Sequence, residues 1–147
     1  MEQRIIIIGG GPAGMMAAIK AAETNESMGG QVEILLLEKM KRPGRKMMIT
    51  GKGRCNLTNI VDVPELIEHI PGNGKFLTSA LTAFTSIDTI NFFESLGVAT
   101  KIERGGRIFP MSDDASEVVN ALMKRMKELG IDVRTNTHLT DILINSK

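Results

Sequence analysis

Near the start of the chain, residues 3–8 include four consecutive isoleucines, Ile5 to Ile8, apolar at odd and even positions alike. That pattern predicts a parallel strand buried on both faces. Residues 12–23 read as a helix, with Pro12 in the first turn and the small residues Ala13, Ala17 and Ala21 along one side. A second apolar strand follows at Val32–Leu37. Together these form a β-α-β unit, and the polar stretch holding Gly29 and Gly30 is its surface loop.

Residues 39–59 have no clear period and contain three glycines, Gly44, Gly51 and Gly53, which predicts a long loop with a function. Beyond it, a short helix is expected at 64–70 and a helical pair at 75–84 and 87–96, the second stopped by Gly97. Residues 99–103 and 107–109 flank Gly105-Gly106, a two-residue hairpin signal. The clearest amphipathic helix is 114–129, where Val118, Val119, Leu122, Met126 and Leu129 share one face. Asp114 with Glu117 suggests a capping box, and Gly130 ends the helix. Two more strands are expected at 131–134 and 139–144. The sequence ends directly after them, and an open sheet of so few parallel strands seldom buries an adequate core. Residues 1–147 are therefore expected to be part of a larger domain.

Composition narrows the class. Of 147 residues, 42% are hydrophobic and 24% charged, as in a soluble globular chain rather than a disordered one. Eighteen basic against 17 acidic residues leave a net charge of +1, which predicts no polyelectrolyte partner by itself. Aromatic residues are 3%, with neither Trp nor Tyr, which disfavours a base-stacking nucleic-acid module. A single cysteine excludes an internal disulfide framework and any multi-cysteine metal site, and points to a reducing, cytoplasmic setting. The charged opening before the apolar stretch imitates a secretion signal, but Gly9, Gly10, Gly11 and Pro12 break the helix such a signal needs. Nothing else reaches membrane-spanning length.

The strongest chemical motif is Gly9-x-Gly11-x-x-Gly14. It directly follows a strand, opens a helix and precedes a second strand ending in Glu38, the context the dinucleotide fingerprint demands. Gly9 permits the tight turn, Gly11 lets the backbone approach a pyrophosphate, and Gly14 lets helix and strand pack closely. The helix N-terminus supplies unpaired N–H groups and partial positive charge. Glu38 lies 24 residues beyond Gly14; its carboxylate is placed to accept hydrogen bonds from a ribose and to repel a 2′-phosphate, although Lys39, Lys41 and Arg42 soften the second point.

Between Lys39 and Arg54 there are seven basic residues and no acidic one, and Gly51 and Gly53 flank Lys52. Such a loop is either a solvated basic surface or a ligand contact. It lacks the Ser/Thr and the spacing of a nucleotide-binding Walker loop. Cys55 is expected as a small buried neighbour of a cofactor rather than a redox thiol, having no partner cysteine. His69 and His138 have no plausible metal or triad partners, and Asp113 and Asp114 are read as helix caps.

The segments from Ile5 to Gly14, Leu37-Glu-Lys39, Gly44-Arg-Lys46, Gly51-Lys-Gly-Arg-Cys-Asn-Leu-Thr-Asn59 and Gly106-Arg-Ile-Phe-Pro110 together resemble the HI0933-like flavoprotein family. The first would fit many flavin or nicotinamide enzymes, whereas the Gly-Lys-Gly-Arg-Cys-Asn block is far more specific. The resemblance runs through the whole chain but covers only the N-terminal portion of such a protein. It implies an α/β, Rossmann-like FAD/NAD(P)-binding domain with a parallel sheet, interrupted by other domains, of which residues 1–147 are the N-terminal part. By this likeness Gly9, Gly11, Ala13 and Gly14 hold the pyrophosphate of FAD, and Glu38 with Lys39 the adenosine end. Arg45, Lys46, Gly51, Gly53, Arg54, Cys55 and Asn56 lie along the flavin side, and a strand near Leu139 passes the adenine with its backbone. Lys52 departs from the family, which often has a small residue there.

The function implied is an FAD-dependent oxidoreductase passing hydride between NAD(P)H and a small organic substrate, such as a steroid-like enone reduced at a carbon–carbon double bond. No catalytic acid or base can be named. As a hypothesis, Arg45, Lys46 or Arg54 stabilises the reduced flavin. Two rivals remain: a flavoprotein that acts on or binds RNA through the basic loop 39–54, which the near-zero charge disfavours, and an NAD-binding domain without flavin.

Overall fold

The computed structural model describes residues 3–144. Met1 and Glu2 of the charged opening, and the final three residues, lie outside that range. The chain divides into two compact units, one formed by residues 1–47 and 122–147, the other by residues 48–121.

The first unit is the expected β-α-β with one strand added. Strand β1 (Gln3–Ile8) pairs in parallel with β2 (Val32–Leu37), from Gln3 opposite Val32 to Ile8 opposite Leu37. Strand β6 (Asp132–Arg134) pairs in parallel with the other edge of β2, giving the order β1-β2-β6. Being central, β2 buries Ile34, Leu35 and Leu36. Strand β1 is the expected parallel strand, but it is not buried on both faces. It has one hydrogen-bonded neighbour among the described residues, and Ile5, Ile6 and Ile8 are exposed, Ile6 at 52%.

Helix α1 (Pro12–Ser27) joins the two strands, four residues longer at its C-terminal end than residues 12–23. Its buried stripe is Met15, Ala18, Ile19 and Ala22. The side carrying Ala13, Ala17 and Ala21 faces away from that stripe: Ala13 and Ala17 are exposed and Ala21 half-buried. Met15 and Ile19 bring most of the apolar surface that this face removes from water. The loop after α1 is held by Asn25, whose side chain both donates to and accepts from the backbone of Val32, at 2.9 and 3.0 Å.

The second unit is built on an antiparallel sheet in which β5 (Arg107–Pro110) lies between β3 (Thr58–Asn59) and β4 (Thr100–Glu103). Strands β4 (Thr100–Glu103) and β5 (Arg107–Pro110) form the expected hairpin. Its loop has three residues rather than two, since Glu103 pairs with Arg107 and leaves Arg104, Gly105 and Gly106 between them. Gly106 is drawn into the sheet region by Ile60, whose N–H donates to its carbonyl at 2.8 Å. Strand β3 (Thr58–Asn59) emerges from the long loop to pair with β5. Helices α2 (Val63–Glu68), α3 (Thr78–Ala83) and α4 (Ser86–Ser95) follow β3 in the chain, with a 3-10 turn at Gly74–Leu77 where 75–84 was expected as one helix. The apolar residues of this stretch do not sustain a helical stripe, and α3 buries none of them.

Helix α5 (Ala115–Glu128) belongs to the second unit up to Ala121 and to the first from Leu122. Val118, Val119, Leu122 and Met126 are fully buried, as the period predicts, and Leu129 is half-buried. The capping box at its start is not formed. The Asp114 carboxylate accepts the Ser116 N–H at 2.8 Å, while the Glu117 carboxylate accepts the hydroxyl of Ser112 instead of reaching back. The complete box lies at α4, where Thr85 and Asp88 bond reciprocally.

Residues 139–144 form no strand, contrary to expectation. After β6 the backbone makes two further bonds, from Asn136 N–H to the Met40 carbonyl and from Thr137 N–H to the Glu38 carbonyl. Between them Asn136 takes a left-handed φ of 51°, which interrupts the extended chain. Ile142, Leu143 and Ile144 are exposed, Leu143 at 86%. No helix among the described residues is long and apolar enough to cross a membrane.

Candidate functional site: a glycine loop held by Glu38

The turn from β1 into α1 carries the fingerprint. Gly9 sits at φ +99°, a conformation that favours glycine, and its N–H donates to the Leu37 carbonyl at 2.8 Å, tying the turn to the end of β2. Gly11 is the N-cap of α1 and offers no side chain to the first-turn amides, so the helix start keeps unsatisfied N–H groups. A Cβ built on Gly11 meets nothing within 4 Å. The backbone there is open to an approaching group. At Gly14 a Cβ would lie 1.9 Å from the Gly9 carbonyl oxygen, so α1 and the turn touch backbone to backbone. Ala13 is exposed beside them.

Glu38 does more than was expected of it. Its side chain is buried, and its two carboxylate oxygens accept N–H groups from Gly10 at 2.6 Å and Met40 at 2.7 Å. The Gly10 carbonyl in turn accepts the Gly44 N–H at 2.8 Å. Gly10, an unspecified position of the fingerprint, is thus held on both sides. A Cβ there would lie 2.9 Å from the Pro43 Cβ and 3.0 Å from a Glu38 carboxylate oxygen. Pro43 and Gly44 are buried, and the exposed cations Arg45 and Lys46 follow directly. Sequence reasoning missed Gly10 and Pro43; the run of three glycines and the Pro-Gly pair were the available signals. Lys39 is exposed next to Glu38, and Leu139 lies past Thr137 without belonging to a strand.

In the second unit, Gly51, Gly53, Arg54, Cys55 and Asn56 cluster in a strained turn. Gly51, Lys52, Gly53 and Cys55 have φ of 55°, 59°, 86° and 61°. Gly51 is seated on the Phe109 ring, where a Cβ would come within 2.8 Å of Cε1. The Arg54 guanidinium stands 4.1 Å from the centroid of the same ring. It also donates to Glu103 at 2.7 Å, and Asp113 is 3.4 Å away. Lys101 completes the network, 2.6 Å from Asp113 and 3.9 Å from Glu103. Asp113 is thus an ion-pair partner, where a helix cap was expected. The hydrogen bond from Lys101 is the main reason its carboxyl titrates below the usual range. Two cations face two carboxylates here, so the charge of Arg54 is already matched.

Cys55 is buried, and burial pushes its thiol pKa up. With its amide oriented to donate, exposed Asn56 bonds the carbonyls of Thr58 and Ile108 at 3.1 Å each. No group of His, Cys, Asp and Glu among the described residues could hold a metal ion. A surface depression lined by Gln3, Gly30, Gln31, Val32 and Glu33 lies at the N-terminal ends of β1 and β2, the opposite end from the glycine loop. Ligands of open α/β sheets bind at the carboxyl ends of the strands, so the glycine loop is the better candidate.

The Rossmann-domain model of the HI0933-like proteins matches residues 3–147. This chain belongs to the HI0933-like family. The HI0933-like chain is 35% identical over 144 residues to a 3-dehydro-bile acid delta(4,6)-reductase of Clostridium scindens, an alignment covering 98% of this chain and 34% of that protein. It is 31% identical to the ribosomal RNA dihydrouridine synthase of Escherichia coli, covering 93% of this chain and 32% of the relative. The Haemophilus influenzae protein of the same name is 26% identical over the same shares. The HI0933-like chain therefore spans about a third of the length of these curated relatives. Among solved structures, Thermovibrio ammonificans THI4 superposes with a TM-score of 0.55 at 16% identity, over 91% of this chain and 38% of that one, a likeness of fold.

Proposed function

We propose that residues 1–147 supply the N-terminal, FAD-binding part of an oxidoreductase that passes hydride from NAD(P)H to an organic substrate. The observation that carries this reading is the uncapped start of α1 with Gly11 open to approach, following a parallel strand and braced by Glu38. These residues fit a dinucleotide: Gly11, Ala13 and Gly14 present backbone to the pyrophosphate, and Lys39 stands beside the adenosine end. FAD bound there would supply hydride acceptance and donation. Glu38 keeps lone pairs for ribose hydroxyls but also braces the loop through Gly10, so it serves as support as well as ligand. Arg45 and Lys46 are exposed, and we assign to them, rather than to charge-matched Arg54, the positive charge beside the ring. Gly51, Gly53, Cys55 and Asn56 would line the flavin side.

The names of the relatives suggest the substrate class. A delta(4,6)-reductase and a dihydrouridine synthase both imply saturation of a carbon–carbon double bond, so we propose a polarised alkene as hydride acceptor. A cytoplasmic setting fits the lone buried cysteine.

Fluorescence titration with FAD, on the chain shown by circular dichroism to be folded, tests this reading. Saturable binding lost in Gly11→Val is expected. FAD bound neither by this chain nor by a longer protein containing it would overturn the proposal, and tight NADH binding without FAD would favour a nicotinamide-only domain.

A second reading keeps the flavin and makes RNA the substrate. It is favoured by the two ribosomal RNA dihydrouridine synthases among the relatives and by exposed Lys39, Lys41, Arg45 and Lys46. Salt-dependent RNA affinity, abolished by charge reversal at Lys41, Arg42 and Lys46, is its expected signature.

A further inference from the structure

We propose, resting on the reading of the α1 start as a phosphate site, that Glu38 is a positioning residue for phosphate. By accepting the Gly10 N–H it locks the Gly9–Gly10 peptide, so removing its negative charge weakens the binding of an anion. Two hydrogen bonds fix two successive peptide planes here. The Gly10 N–H donates to Glu38 Oε2 at 2.6 Å, and the Gly10 carbonyl accepts the Gly44 N–H at 2.8 Å. No peptide among the described residues is cis, so within each plane the carbonyl and the N–H point in opposite directions. With the Gly10 carbonyl drawn to Gly44, the Gly11 N–H is turned the other way, at a residue where a built Cβ meets nothing. With the Gly10 N–H drawn to Glu38, the Gly9 carbonyl points away from Glu38 and lies against Gly14.

The lock is needed because both residues of the Gly9–Gly10 peptide are glycine, and the plane can rotate at little steric cost. Rotation would pull the Gly9 carbonyl off Gly14 and displace the Gly11 and first-turn amides that a phosphate needs. Glu38 is itself held in place. Its N–H donates to the Arg134 carbonyl at 2.8 Å and its carbonyl accepts the Thr137 N–H at 2.9 Å. Its second carboxylate oxygen accepts the Met40 N–H at 2.7 Å, and the side chain is buried. By charge alone, a carboxylate beside an anion site opposes binding. Positioning and charge therefore predict effects of opposite sign, which makes the two separable.

The test compares Glu38→Gln, Glu38→Ala and Gly10→Ala with wild type in the full chain, each below the onset of its own thermal unfolding. Calorimetric titrations use inorganic pyrophosphate, 2′,3′-dideoxy-ADP, ADP and FAD, with Gly11→Val defining the background. Gly10→Ala disturbs the same peptide while leaving the carboxylate in place, since its Cβ would stand 3.0 Å from Glu38 Oε2 and 2.9 Å from the Pro43 Cβ. Each variant is expected to bind every one of these ligands about tenfold more weakly. Combining Glu38→Ala with Gly10→Ala should weaken binding little further, because both release one peptide. A loss confined to ADP and FAD would make Glu38 a ribose ligand only and overturn the proposal. Unchanged or tighter pyrophosphate binding in the Glu38 variants, or full additivity in the double variant, would overturn it too. Wild type that binds none of these ligands would overturn both this inference and the flavin reading. Glu38-dependent binding of pyrophosphate and ADP without FAD would uphold the inference and overturn the flavin reading alone.

Discussion

A methyl group added at Gly14 would collide with the Gly9 carbonyl oxygen at 1.9 Å, whereas one added at Gly11 would meet nothing. The two glycines of one fingerprint thus serve different ends, and their alanine variants should part company. Gly14→Ala is expected to lose about 3 kcal/mol of stability, because α1 must move off the turn. Gly11→Ala should melt like wild type yet bind FAD more weakly; urea unfolding and fluorescence titration on both variants check this. Glu38→Gln leaves one buried N–H facing an amide that cannot accept it, so about 2 kcal/mol should be lost there. Wild-type melting of that variant would mean the Gly10 contact is dispensable. At Cys55 burial raises the thiol pKa, so native protein should react with maleimide at pH 7.5 roughly tenfold more slowly than urea-unfolded protein. The tight turn at Gly9, the open backbone at Gly11 and the close packing at Gly14 were legible in sequence because their spacing is dictated by one local turn. The roles of Gly10 and Arg54 were not, since each depends on partners brought together by folding: Glu38 and Pro43 for the first, Glu103 and Asp113 for the second.

Among the elements, β2 and α5 were legible because an apolar run or a 3.6-residue stripe has one way to be buried. The isoleucines of β1 announced a strand but not its place at the sheet edge, because strand order is not a local property. The expected strand at 139–144 failed for a related reason: an extended apolar segment needs a neighbouring backbone, and after the left-handed Asn136 only Thr137 still bonds to the end of β2, through the Glu38 carbonyl. At α4 the reciprocal box between Thr85 and Asp88 is complete, so Thr85→Ala should cost about 1 kcal/mol. Segment α3 with the 3-10 turn before it buries no apolar side chain. Its amides should exchange with deuterium well before those of α1 and α5, and equal protection would contradict that expectation.

For the molecule as a whole, three carboxylates tie the folded state to pH on the acid side. Hydrogen bonds from the Thr85 side chain lower the carboxyl pKa of Asp88, those from Lys101 lower Asp113, and those from Ser116 lower Asp114. Each group binds its proton less readily folded than unfolded, so its contribution is complete above the ordinary carboxylate pKa of about 3.9 and is lost as pH falls through the lowered folded value. Denaturation midpoints should therefore drop between pH 5 and pH 2, and Asp88→Asn combined with Asp113→Asn should flatten that slope. A slope unchanged in the double variant would place the acid sensitivity elsewhere. The family and the parallel sheet could be inferred from residue order alone; the two-unit organisation could not, because residues 122–147 return to the first unit across 74 intervening positions.

The bracing of Gly10 by Glu38 and Pro43 also bears on how the fingerprint is recognised in other chains. A template that accepts any residue between its first two glycines treats that place as neutral, yet here even a methyl group would press on the Pro43 Cβ and the Glu38 carboxylate. Wherever a homologue carries a larger residue there, the acid ending its second strand must let go of the turn or the proline must give way. The three positions should therefore change together.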